Sequence, residues 1–326
     1  MQKSSIFFAD TSIESKEGLT AILPIPEGSL PIRYLGVPLL STRLRAVDCA
    51  QLKEKILGRI QSWSNKTLTY GGKLQLINSV LFSIQIYWSS IFILPQRVLH
   101  DIECLLRSFL WTGFELRHSG AKVAWHSICA PKNEGGLGLR LLKDWNKASM
   151  IRHLWLICLK TDTLWIKWVH TCILKSHSLW RVKVPNDASW TIRKLLNLRD
   201  TIRPWIKYIV GDGLSTYLWA DNWHTLGPLY QNFEEYVGYN IGRAQNAKVA
   251  SIIQNGVWVW PNPRCAITRQ IVASTELSLM ANPLVPDSVR WLLYKYTTKS
   301  AWNALRTKFL VVPWSKCVWF SSHVPR

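Results

Sequence analysis

Three observations predict a mainly α fold with minor β, of the α+β class. Apolar residues recur at alternating spacings of three and four between Ile56 and Gly113. Hydrophobic residues make up 48% of the 326-residue chain, which excludes wholesale disorder. Extended runs are few, short and bounded by turn residues.

The elements follow in order. KSSIFFA, Lys3 to Ala9, reads as a short strand, and Pro24, Pro26 and Gly28 mark turns after it. LPIRYLGVPLL, Leu30 to Leu40, reads as an extended hairpin around Gly36. A helix beginning near Ala46 and Asp48 carries Leu52, Ile56 and Ile60 inward and Lys53, Lys55 and Arg59 outward. A second helix is predicted after a Gly71-Gly72 break, with Leu74, Ile77, Leu81, Ile84, Trp88 and Ile91 on one face. A weaker stripe of Leu76, Val80, Tyr87 and Leu94 predicts burial on two sides. Gln75, Asn78, Ser79, Ser83, Gln85, Ser89 and Ser90 read as the opposite, polar face. Pro95 separates a third helix, Val98 to Trp111, with Ile102, Leu105, Leu106, Phe109 and Leu110 inward. A turn at Gly135, Gly136 and Gly138 precedes a helix from about Leu142 to Leu159. From Gly211 the chain turns often, and Asn255-Gly256 is a hairpin signal before the alternating Val257 to Trp260. A last helix is expected from Lys299 to about Phe309, ahead of the apolar Val312, Trp314, Val318, Trp319 and Phe320.

Net charge +20 and a pI near 9.8 point to a polyanionic partner, because phosphates most simply offset such self-repulsion. Between Arg140 and Lys207 there are 14 Lys or Arg against 4 acidic residues, interleaved with Trp145, Trp155, Trp165, Trp168 and Trp180. The 19 Trp suit both base stacking and the covering of a helical core. The 7 Cys form no CxxC pair, and MQKSSIFFADTS has too short an apolar run for a secretory signal. Reduced thiols and an intracellular location, nucleus or cytoplasm, are the expectation. Leu74 to Gln96 is 23 residues without a charge, long enough to cross a bilayer, but its polar residues argue against a span, so no membrane partner is expected.

Little in the sequence assembles a reaction centre. His118, His126 and Cys129, or Cys317 and His323, lack the spacing of a closed zinc site. Asp212 and Asp221 sit in a turn-rich Gly-Asp-Gly context and read as holders of local loops rather than an acid–base pair. There is no Ser-His-Asp order, P-loop or dinucleotide fingerprint.

Several stretches resemble plant non-LTR, LINE-type retrotransposon reverse transcriptases. KSSIFFA at 3–9, LPIRYLGVPL at 30–39, RIQSWSNKTLTYGGKLQLINSVLFSIQIYW at 59–88 and FLWTG at 109–113 are similar to the downstream part of those enzymes. KVAWHSICAPKNEGGLGLRLLKDWNKA at 122–148 and VGDGLSTYLWADNWHTLGPL at 210–229 resemble their connector. KSAWNALR at 299–306 and PWSKCVWFSSHVPR at 313–326 resemble the opening of their zinc-binding domain. The resemblance implies a C-terminal fragment of an RNA-directed DNA polymerase: palm-strand remnant at 1–44, helical thumb-like region at 45–115, basic Trp-rich helical connector at 116–209, turn-rich connector with short strands at 210–285, and a truncated start of the zinc-binding domain at 286–326. It also implies that the Asp-Asp box lies upstream and the zinc ligands downstream, so neither the Mg²⁺ nor the Zn²⁺ site is present, no cofactor is expected and the chain is not an enzyme. Phe8-Ala9-Asp10-Thr11 does not replace that box, since one carboxylate cannot clamp two metal ions. No catalytic or metal-binding residue is therefore assigned. A thumb grips duplex by its backbone, which makes Arg59, Lys66 and Lys73 the expected phosphate contacts and RNA or an RNA–DNA duplex the expected partner. The alternatives are a structural or membrane-associated helical protein, or a non-functional pseudogene product.

Overall fold

The N-terminal stretch forms helix α1 (Ile13–Ile22), capped by Ser12, whose Oγ accepts from the Ser15 N–H at 3.3 Å. The computed structural model describes residues 4 to 319, apart from 9–10, 24, 41, 65–66, 117–120, 233–245, 262–265, 279–281, 283 and 293–294. The fold is mainly α with minor β. KSSIFFA, expected to be a strand, makes only an isolated parallel bridge between Ile6 and Glu27 among the described residues, and Lys3 and Ala9 lie outside them. Pro26, whose carbonyl accepts from the Ile6 N–H, has no N–H with which to extend a ladder. The Leu30–Leu40 hairpin forms as β1 (Ile32–Tyr34) against β2 (Val37–Leu39), Ile32 opposite Leu39 and Tyr34 opposite Val37.

A first core gathers around α2 (Ala50–Gln61), where Leu52, Ile56 and Ile60 are fully buried as expected. The next helix begins earlier than predicted. Thr69 Oγ1 accepts from the Gly72 N–H at 3.2 Å, so Gly71 and Gly72 belong to the first turn of α3 (Tyr70–Leu76) and are not a break. A π turn (Ile77–Leu81) then leads into α4 (Phe82–Ser89). Its wider winding moves the buried face from Leu74, Ile77 and Leu81 to Phe82, Gln85, Trp88 and Ser89. That shift corrects the polar-face expectation for Gln85 and Ser89: both are buried, and the Gln85 amide donates to Ser89 Oγ. Pro95 precedes α5 (Gln96–Thr112), which buries Val98, Ile102, Leu106, Phe109 and Leu110 and only half-buries Leu105. No helix among the described residues is long and apolar enough to cross a membrane.

After α6 (Trp125–Ile128) the glycine turn closes tightly: a Cβ on Gly136 would lie 2.0 Å from the Ala130 carbonyl oxygen. Helix α7 (Leu142–Leu159) has the predicted span. Leu142 joins the first core, whereas Trp145, Met150, Ile151, Leu154 and Ile157 build a second. Around that second core lie α8 (Leu164–Trp168), α9 (Trp190–Asn197), α10 (Arg199–Ile202), β3 (Ile206–Ile209), α11 (Leu229–Asn232), β4 (Ile253–Gln254), β5 (Val257–Trp258), α12 (Ala266–Ser278), β6 (Ser288–Trp291) and α13 (Thr298–Leu305), while α14 (Ser315–Val318) packs on the 132–134 turn. Strands β3 and β6 pair antiparallel, Ile206 opposite Trp291, and β4 turns into β5 through the expected Asn255-Gly256, with φ of 50° and 80°. Helix α13 stops short of the expected Phe309 because Arg306 turns away to pair with Glu134, Nη1 to Oε2 at 2.6 Å, and the Phe309 N–H donates to the same carboxylate.

One carboxylate organises the turn-rich segment. Asp287 accepts from the N–H groups of Gly211, Gly213, Ser215 and Thr216 and from Thr216 Oγ1, all within 2.9 Å. These donors hold its carboxyl below the usual range despite the opposing effect of burial. A Cβ on Gly211 would meet the Val285 carbonyl oxygen at 2.0 Å, which accounts for a glycine there. Asp287→Ala leaves these donors without their acceptor and is expected to lower the urea-unfolding free energy by at least about 3 kcal/mol. Asp287→Asn destabilises as well, because an amide sets N–H against N–H; wild-type stability in both variants contradicts the clamp.

Candidate nucleic-acid interface

The end of α2, the start of α3 and the end of α5 meet at a cleft of about 260 Å³, lined by Trp63, Thr67, Leu68, Lys73, Gly113 and Phe114 with their neighbours. A ring pair sets one wall: the Trp63 and Phe109 centroids are 5.7 Å apart. Lys73 reaches the last turn of α5, where the helix dipole favours a cation, and a Cβ on Gly113 would come within 3.4 Å of its Nζ. Gly113 also needs its φ of +72°, at ψ −142°, to end that helix.

Arg59 is exposed on the last turn of α2, four residues before Trp63 and not in the lining of the cleft. Among the described residues neither Arg59 nor Lys73 makes an ion pair and no acidic side chain lines the cleft. Lys66 lies outside the described residues, although Ser64 and Thr67 on either side of it are in the lining. Lys73, in the same lining as the half-exposed ring of Phe114, can donate to phosphate oxygens while the rings offer a flat apolar surface, and Arg59 adds an exposed cation on the preceding helix. Reading the sequence for cations alone misses Trp63 and Phe114.

The other candidate chemistry resolves into structure. Asp212 accepts from the Leu214 N–H at 3.0 Å, a local turn as expected. Asp221 is buried, accepts from Ser178 Oγ at 2.9 Å and the Tyr217 N–H at 2.7 Å, and burial pushes its carboxyl up to about 6. Burial likewise raises the Cys129 thiol, which keeps the proton on a sulfur that a metal would need ionised. Among the described residues no group of three or more His, Cys, Asp and Glu is gathered for a metal; Asp10, His118 and His323 lie outside them.

No family model matches the chain. Over 205 residues, 60% of this chain, it is 30% identical to a protein of Arabidopsis thaliana provisionally named a ribonuclease H protein, and it spans 32% of that protein's length. Over 142 residues, 43% of this chain, it is 25% identical to an uncharacterized mitochondrial protein of the same plant and covers 92% of it. Both similarities are consistent with a chain derived from a plant retroelement. The first corrects one expectation: a relative bearing an enzyme's name overturns the reading of the chain as not an enzyme, which rested on the missing Asp-Asp box alone.

The Asp221 carboxyl predicts a pH signature. Its folded value of about 6 lies above the usual 3.8, so the folded state holds the proton more tightly between those values and gains stability as pH falls through 6. Relative to Asp221→Asn, which does not titrate, wild type is expected to gain up to about 3 kcal/mol between about pH 7 and pH 4 in urea unfolding. A difference that stays constant with pH contradicts the burial argument.

Proposed function

We propose that this chain is the duplex-gripping part of a plant non-LTR, LINE-type retroelement protein of the reverse-transcriptase kind, and that it holds RNA or an RNA–DNA duplex by its backbone phosphates. The observation that carries the proposal is the aromatic-walled cleft in which Lys73 stands without an acidic partner, with Arg59 one helical turn before Trp63. A net charge of +20 supports it, since phosphates are the most abundant polyanion such a surface meets. The ribonuclease H name of the Arabidopsis relative supports a nucleic-acid substrate in general. The resemblance of residues 59–88 and 109–113 to the downstream part of reverse transcriptases supports the finer assignment, because those two stretches contribute the cleft walls. Phosphate contacts of this kind fix orientation and carry no sequence preference.

Salt dependence tests the reading. Arg59→Ala with Lys73→Ala is expected to weaken binding of an RNA–DNA duplex irrespective of sequence. The slope of log K against log salt should fall in magnitude by about 1.8, from two contacts at about 0.9 each. Fluorescence anisotropy between about 50 and 200 mM salt reads both. An affinity and slope equal to wild type in the double variant would remove the cleft from the account.

A further inference from the structure

A second concave surface lies over the second core, to which its Leu174 and Val182 belong. It is a groove of about 410 Å³ between the 173–185 segment and Asn246, with Lys175, Arg181, Lys183 and His177 around it. Among the described residues no acidic side chain is in its lining, and its floor is apolar, from Leu174, Val182 and Pro185.

The backbone here is built rather than incidental. Lys175 and Ser176 are consecutive non-glycine residues with φ of 46° and 65°, a conformation that L residues rarely hold in succession. The Lys175 N–H donates to the His170 carbonyl at 3.1 Å and the His177 N–H to the Leu174 carbonyl at 2.8 Å, and the His177 ring nitrogen Nδ1 lies 3.0 Å from the Lys175 carbonyl. This turn delivers Lys175 to one edge of the groove. The 179–182 backbone is pinned by Arg199, whose Nη1 donates to the carbonyls of Leu179 at 3.0 Å and Val182 at 2.6 Å. Arg181 stands over the Tyr230 ring, its Cζ 3.8 Å from the centroid, which holds it to that wall.

We infer that this groove is a second nucleic-acid site, one that takes the sugar–phosphate backbone of a single strand. It rests on the nucleic-acid reading only for the class of ligand. A volume of about 410 Å³ is that of a small-ligand pocket and admits a nucleotide unit, whereas a duplex offers its bases to no apolar floor. On a single strand the unpaired base or sugar face covers Leu174 and Val182, the phosphates meet Lys175 and Lys183, and the Asn246 amide faces the base edge or sugar hydroxyl. An acidic peptide would satisfy the cations but leave the floor unused.

The test uses the full chain with Lys175→Ala and Lys183→Ala together, both exposed positions, and an oligothymidylate of about twelve nucleotides as probe. The expected result is a fall of about 1.4 in the magnitude of the salt slope, two contacts at about 0.7 each on a single strand. Duplex binding by the same variant should be retained, and the Arg59→Ala, Lys73→Ala variant should keep single-strand binding. An unchanged single-strand slope in the Lys175, Lys183 variant overturns the inference while leaving the duplex cleft standing. Equal displacement of the probe by oligo-glutamate of matched charge also overturns it, by showing that the floor contributes nothing. Competition by thymidine monophosphate supports a site for terminal phosphate, and competition by unlabelled oligomer alone supports internal phosphodiesters; both fit a nucleotide-sized groove.

Discussion

Asn146, buried inside α7, uses every polar atom of its side chain on the turn between α4 and α5. Its Oδ1 accepts from the Leu94 N–H at 2.8 Å, while Nδ2 donates to the carbonyls of Phe92 at 2.7 Å and Ser89 at 3.2 Å. A helix that ends in a protein interior leaves its last carbonyls unsatisfied, and here Ser89 is fully buried. An amide meets the need because it donates and accepts at once; a carboxylate of the same shape cannot donate. Seven residues on, His153 Nε2 meets the Ser90 carbonyl at 2.8 Å, so the same face of α7 holds the turn at two points. Fixing that turn fixes the origin of α5, and 17 residues later, roughly 25 Å away, the end of α5 forms a wall of the cleft. The position of Lys73 against Gly113 therefore depends on a joint far from it.

Much of the positive charge is structural. Arg203 is buried, lies 5.6 Å from the Trp180 ring centroid and donates to the Ala220 carbonyl at 2.6 Å. Arg140 covers Trp145, Arg199 pins the 179–182 backbone, and Arg306 grips Glu134. Burial lowers the Arg203 and Lys207 values, yet each has carbonyl oxygens to donate to. The cation–aromatic interleaving of residues 140–207 thus has a packing role as well as a surface one. Net charge alone overstates the interface; the informative cations are those with neither an acid nor a carbonyl beside them.

What the sequence disclosed was local. The Leu30–Leu40 hairpin, the Asn255-Gly256 turn and the span of α7 were each written in a few adjacent residues, as were the buried positions of α2. The π turn was not, since one extra residue of winding leaves the apolar spacing ambiguous and moves Gln85 and Ser89 inside. Nor were the partners that meet across the chain: Asp287 with residues 71 to 76 positions away, Glu134 with Arg306 at a separation of 172, and Asn146 with Ser89 to Leu94. The cleft was half legible. Periodicity put Arg59 outside and the glycine pair drew notice to Lys73, but Trp63 and Phe114 took their places through tertiary packing, which no spacing records.

The central claim is that the α2, α3 and α5 ends form one phosphate-gripping surface whose shape is set by the α7 joint. Amide hydrogen exchange on the full chain, with and without an RNA–DNA duplex, tests it most directly. The account predicts added protection at residues 59–64, 67–73 and 109–114, with the amides of α7 unchanged because the joint is already made. Protection that spares those three stretches while the duplex is demonstrably bound would contradict it.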